Sequence, residues 1–391
     1  MKECIDETNL IKNDLGTLFK FAFSATIAVS VLSQMSEFEY IFRPLMYVMW
    51  VFMLCYLVIV NGFVLRLSGF TLFFIVAYLI YFCYCLVLTF FGTDHIRSFY
   101  LKLLPVPILC CVVTDLSVDY YGRENIFHSL IVSYEISSLI LALYINVIFF
   151  VSYDRWVSNN GYLFAQKNSA SQILGVAALV NFFICRNSSK ISKVNKFALF
   201  VLSIYFILII ALSKCRAVLL ALCCVAVVNF FINVKHKILY LIVCTIIVVV
   251  CVQNSTVSNF IVNSLNLNSY GGDINRFSSN RIDLWKKAIE VFSKNVMFGV
   301  GNYYVDNSYL SILAESGILG FIVIESIWLT KVIGSIGLFK IDRGLGGLLL
   351  CLTVFYLVES LFEAFPPFGP GISIMFFWCV GEVLSNKNYI V

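Results

Sequence analysis

Twelve stretches of mostly apolar residues, each long enough to be a helix, follow one another along this chain, and they leave it few ways to fold. About 20 such residues are what a helix needs to cross the hydrocarbon core of a bilayer. Within that core each backbone N–H and C=O must find its partner inside the protein, so a succession of such stretches becomes a bundle of spanning helices. They run over about 16–33, 44–64, 69–91, 100–118, 126–151, 168–185, 197–213, 217–233, 237–253, 309–330, 344–363 and 368–385. Pro105 and Pro107 interrupt the fourth, which predicts a kinked helix. Only 13% of the 391 residues are charged, too few to clothe a water-facing surface, since soluble domains carry about 25%. The sequence therefore predicts an all-α integral membrane protein of about 12 transmembrane helices, one polytopic domain over 1–391 with no visible repeat.

The remaining composition excludes more than it assigns. The start, MKECIDETNLIKNDLG, is polar and of mixed charge. A secretory signal is basic and then apolar, so the first stretch is expected to stay as a span. The 14 cysteines lie mostly inside apolar runs, as at Cys110, Cys111, Cys223 and Cys224, and no CxxC occurs. Cys in that setting is a small apolar residue. His95, His128 and His236 are far apart, so neither a disulfide framework nor a zinc site is expected.

The net charge of +5 is no nucleic-acid signal in such a chain; its distribution orients the bundle. With both termini in the cytoplasm, 14 Lys and Arg fall in inside loops, Lys331 among them. Six fall in the short outside segments: Arg43, Arg97, Arg155, Lys167, Lys214 and Arg216. That bias follows the positive-inside rule, from which the long outside segment, about 254–308, is excluded because long loops cross largely regardless of charge. In a bacterial membrane the outer face lacks nucleotides. An enzyme working there needs a donor already activated and carried in the membrane.

Several polar groups gather on that face. In RIDLWKKAIEVFSK, Ile282, Trp285, Ile289 and Phe292 recur at helical spacing, with Lys286, Lys287 and Glu290 off that face. This predicts an amphipathic surface helix over about 280–295 inside the large outside loop. Asn280 and Asp283 resemble a helix start, which puts Arg281 in the first turn. A cation there opposes the helix dipole unless an anion lies beside it. Arg281 is read either as a phosphate ligand or as a residue facing lipid headgroups. In FGVGNYYVDNSYL, Gly299 and Gly301 permit a tight loop, and Asp306 serves as a general base or, with Ser308, as a helix cap. Glu315 lies nine residues further, about 13 Å along one helix, too far to pair with Asp306. A charge at that depth needs a partner, such as a basic residue of another span. Gly317 and Gly320 suit close helix packing. Lys214 and Arg216, in the tight turn of ALSKCRAVLLAL, either snorkel to headgroups or bind an anion. Arg155, Lys167 and Asn168 bracket the entry to the sixth span; Glu135, Glu325, Glu359, Glu363 and Glu382 are further embedded acids without an assigned role.

Three of these stretches resemble the O-antigen ligase / O-antigen polymerase (Wzy-type) superfamily. GYLFAQKNSAS is similar to its Gly–aromatic…Lys-Asn entry to a span, and SKCRAVLL to its Ser-x-x-Arg turn. The stretch from Arg281 to Gly320 resembles its Arg-x-x-x-Trp helix, Phe-Gly-x-Gly loop and His/Asp-Asn-x-Tyr-Leu…Glu-x-Gly-x-x-Gly helix, the most specific of the three. The likeness covers about 150–385; earlier residues match only as a hydrophobic pattern. It implies a GT-C-like fold and transfer of a glycan from undecaprenyl pyrophosphate at the periplasmic side of the inner membrane. It implies further that Arg216 and Arg281 hold the pyrophosphate, with Asp306 as the third catalytic candidate. Arg155, Lys167, Asn168, Lys214, Trp285, Asn307 and Glu315 make up the expected substrate-binding set. Asp306 stands where ligases typically carry His, which leans toward a polymerase, and the SKCR turn lacks the usual small residues. The leaving group is already activated, and arginine can stabilise its charge, so no metal or other cofactor is expected. The implied partners are an undecaprenyl-pyrophosphate-linked oligosaccharide, membrane lipid and a chain-length regulator protein, with no nucleic acid. The competing readings are a ligase to lipid A–core and a non-enzymatic flippase; the flippase would leave the charged outside helix unexplained.

Overall fold

In the computed structural model the described residues are 2–33, 35, 38–154, 167–187, 191–233, 253–265, 275, 278–368 and 372–385. They form helices without strands. The helices are α1 (Lys2–Leu32), α2 (Glu39–Val60), α3 (Gly69–Phe90), α4 (Phe99–Leu103), α5 (Pro105–Tyr121), α6 (Arg123–Val151) and α7 (Lys167–Asn187). They continue with α8 (Lys193–Leu212), α9 (Arg216–Asn233), α10 (Ser255–Ser264), α11 (Arg281–Lys294), α12 (Ser308–Ile341), α13 (Leu345–Glu359) and α14 (Ile372–Ser385). Among the described residues, seven helices are long and apolar enough to cross a membrane, α4 and α5 counting as one. Shorter apolar helices cover Gly16–Leu32, Arg216–Phe231, Leu345–Glu359 and Met375–Leu384. This is the architecture of a multi-pass membrane protein. Of the twelve expected stretches, 237–253 lies outside the described residues; each of the others falls on a helix.

Burial divides the helices. Every side chain of α14 from Met375 to Leu384 is buried, the mark of a helix that is apolar all round and enclosed by others. It packs against α5, α6, α7, α12 and α13. Trp378 is at its centre, stacked on Phe368 and Phe70 at 6.0 and 5.9 Å between ring centroids. α2, α3 and α8 instead expose rows of large apolar side chains, among them Val48, Phe52, Leu79, Phe200 and Ile204. In water such a surface would not stay solvated; in lipid it is the expected exterior.

The structure corrects three local readings. Pro105 opens α5 instead of kinking it, because an N–H at the first helical position has no partner within the helix to lose. Gly317 is not a packing residue: at φ +65° it breaks α12. The loop before α12 is stitched to that break, with Val300 N–H on the Ala314 carbonyl at 3.0 Å, Gly301 N–H on Glu315 at 2.9 Å, and Ile318 N–H on Val296 at 2.9 Å. A Cβ on Gly317 would meet the Met297 backbone at 2.4 Å. Gly320 does allow close packing, facing Tyr81. Third, Lys331 leaves the loop count. It is buried in α12, 2.6 Å from Glu382 and 3.8 Å above the Phe70 ring. Ser68 Oγ donates to the other Glu382 oxygen at 2.7 Å.

Candidate active site

Four helices begin at one end of the bundle: α7 at Lys167, α9 at Arg216, α11 at Arg281 and α12 at Ser308. Helix N-termini carry unpaired N–H groups and a partial positive charge. The same positions supply the cations Lys167, Arg216 and Arg281, with Lys214 in the turn before α9. α13 and the segment after it answer with carboxylates. The mouth therefore combines a field suited to a polyanion with its own internal counter-charge.

Two matched ladders hold it together. Asn168 and Gln172 are one turn apart on α7; Glu359 and Glu363 are one turn apart at the end of α13 and just beyond it. Side chains four apart share a helical face. Asn168 Nδ2 donates to Glu363 Oε1 at 2.7 Å, and Gln172 Nε2 donates to Glu359 Oε2 at 2.9 Å. The Cys215 thiol caps the arrangement, donating to Asn168 Oδ1 at 3.5 Å.

Arg281 closes the ladder from above. Its Nη2 lies 2.8 Å from the same Glu363 oxygen that accepts from Asn168. Its guanidinium is 5.9 Å from the centre of the Phe362 ring. So the anion that offsets a cation in the first turn of α11 is a carboxylate of the chain itself. Burial pushes the Glu363 carboxyl above the ordinary glutamate range; Arg281 opposes that shift and Asp306 adds to it. Arg216 is tied to the same lip, its Nη2 2.9 Å from Ser279 Oγ. Ser279 and Asn280 both adopt positive φ, which turns the chain into α11. Asn280 gives no side-chain cap, contrary to the sequence expectation. Asn275 and Ser278 meet the first amides of the helix instead.

Asp306 lies on the approach to α12, partly accessible. Tyr304 donates its hydroxyl to Asp306 Oδ1 at 2.8 Å, and the Trp285 indole donates to the Asp306 carbonyl at 3.3 Å. Burial and then Asp306 itself raise the Tyr304 pKa, so the phenol stays a donor. Neither Asp306 nor Ser308 caps α12. Asn307 does, accepting from Leu310 N–H at 2.9 Å, while its amide donates to the Leu361 carbonyl at 3.0 Å. Trp285 packs 6.3 Å from Phe362, which joins α11 to the segment carrying Glu363.

The structure thus brings Lys167, Asn168, Arg216, Trp285, Arg281, Asp306 and Asn307 to one mouth. Lys214, buried at φ +53°, forms the adjoining turn. Arg155 lies outside the described residues. Glu315 sits apart, buried near the start of α4, where Lys102 is the basic residue whose charge acts on it, without a direct ion pair among the described residues. Glu363, Glu359, Gln172 and Tyr304 complete the site, and only the two glutamates carry a sequence signal, their four-residue spacing at the end of an apolar run.

A family model described as O-antigen ligase matches residues 197–324. The match spans Arg216, Arg281 and Asp306 and stops before Glu359 and Glu363. No curated protein matches the chain.

Proposed function

We propose that the chain is a repeat-unit polymerase of the O-antigen ligase/polymerase type, a reading supported by the family-model match over residues 197–324. It transfers a growing glycan from undecaprenyl pyrophosphate to the non-reducing end of an incoming lipid-linked unit. The reaction takes place at the periplasmic face of the inner membrane, with both termini in the cytoplasm. One observation carries this reading: Arg216 bonds Ser279, two residues before Arg281, so both arginines stand at a mouth built from four helix N-termini.

A lipid pyrophosphate is the ligand such a mouth suits. Its oxygens can take bidentate bonds from guanidinium groups and single bonds from helix amides. Arg281 must exchange Glu363 for phosphate as the donor arrives. Arg216 and Lys167 add charge without needing to move far. The bond from the anomeric carbon to the pyrophosphate oxygen then breaks, and its electron pair leaves on the phosphate, where the arginines stabilise it. Asp306 takes the proton of the attacking sugar hydroxyl as the new glycosidic bond forms. Tyr304 holds the Asp306 carboxylate in place.

The description of the matching family favours a second reading, transfer of the finished glycan to lipid A–core. Lipopolysaccharide gels of a null strain separate the two. Core bearing one repeat unit supports the polymerase. Bare core with long lipid-linked chains supports the ligase, and bare core with unpolymerised units trapped inside supports a flippase. Complementation with Asp306→Asn at matched expression should leave the ladder at one unit.

A further inference from the structure

The helices that build the mouth form a second concavity at their other ends. α7, α8, α9 and α13 enclose a cavity of about 430 Å³, within the range of small-molecule and lipid pockets. Its walls are apolar and aromatic, with Phe182, Phe200, Ile207 and Phe230 prominent. Phe182, Phe200 and Ile207 are also exposed on the outside of the bundle, so the cavity opens sideways toward lipid. Apart from Ser203, whose hydroxyl is taken up by backbone carbonyls, the polar groups gather at one rim: Arg186 and Asn187 at the end of α7, Asn229 near the end of α9, and Arg343 just before α13. Among the described residues no carboxylate pairs with Arg186 or Arg343. Asp342, beside Arg343 in sequence, accepts instead from the Gly344 and Leu345 amides at 2.7 and 3.0 Å.

An apolar slot open to lipid and topped by two cations fits one kind of occupant. We propose that this groove binds a single anionic glycerophospholipid, with an acyl chain between α7, α8, α9 and α13 and its phosphate between Arg186 and Arg343. The bland role for Arg186 is to offset the C-terminal dipole of α7. Arg343 follows the C-terminus of α12 in the same way, so the dipole role covers each arginine singly; it does not account for both lying on the rim of one apolar slot. The groove is distinct from the candidate active site, because Lys167 and Asn187 mark opposite ends of α7.

Native mass spectrometry of the full chain, titrated with phosphatidylglycerol and phosphatidylcholine, tests this. Wild type should retain one phosphatidylglycerol with a preference of about 30-fold, as two cations at a membrane surface give. Arg186→Gln with Arg343→Gln should bring the preference close to one. Ala226→Phe, which fills the slot from a lipid-facing position, should weaken retention of both lipids. Equal retention of the two lipids by wild type, an unchanged preference in the double variant, or undiminished binding in Ala226→Phe would each overturn the proposal. If the double variant does not elute as a native species, Arg343→Gln alone decides, since that side chain is exposed and its loss disturbs no packing.

Discussion

Arg281 Nη2 and Glu363 Oε1 lie 2.8 Å apart, and the same oxygen accepts from Asn168 at 2.7 Å. One carboxylate thus joins α11, α7 and the segment after α13. It also occupies the arginine that a pyrophosphate would need. In the proposed reaction the donor's phosphate takes the place of that carboxylate on Arg281.

Arg281→Ala and Arg216→Ala should each lower turnover of a lipid-linked donor by about 100-fold or more, the usual cost of losing one preorganised electrostatic donor. Arg281→Lys should restore little, because an ammonium cannot replace a guanidinium that bonds in two directions. Purified variants assayed for pyrophosphate-lipid release, with expression and folding matched, provide the check. Wild-type turnover in both alanine variants would remove the arginines from the mechanism.

Glu363 makes stability depend on pH. Its folded pKa is raised above the unfolded value, chiefly by burial. The folded state therefore holds the proton more tightly than the unfolded chain. Its contribution is full below the ordinary glutamate pKa and is lost as pH rises through the raised value. The melting temperature of wild type minus that of Glu363→Gln should fall as pH increases across that window. A difference that stays flat or grows would contradict the assignment.

Gly317→Ala should destabilise by about 2 kcal/mol or more, since a positive φ and a backbone clash act together. Its Cβ would lie 2.4 Å from Met297 backbone atoms. Gly334→Ala in the same helix meets nothing within 4 Å. That change should stabilise by about 0.5–1 kcal/mol. Thermal unfolding of the two variants in one detergent compares them directly.

Lys331→Met and Glu382→Leu should each cost about 3–5 kcal/mol, because each leaves a buried charge without its partner. The two charges are 2.6 Å apart, with side-chain exposures of 3% and 0%. The double substitution should recover most of that loss. Additive losses in a double-mutant cycle would show that the pair is not coupled.

Much of the architecture was legible in the chain itself. Apolar stretches of spanning length can become little other than membrane helices, since lipid offers their backbone no partners. The 3.6-residue recurrence of Ile282, Trp285, Ile289 and Phe292 likewise specified α11, because amphipathic spacing is a local property. The candidate cations were visible as well, standing where apolar runs end. What the sequence could not show is which charge answers which. Glu363 and Arg281 are 82 residues apart, and Asn168 and Glu363 are 195 apart. Only the packing of α7 beside α13 sets them on one oxygen. The same holds for Gly317, whose spacing suits helix packing, and for Lys331, whose position after an apolar run reads as a loop. Periodicity reports which face of a helix is apolar. It does not report which neighbour that face meets, and in this protein the meeting of distant polar side chains forms the site.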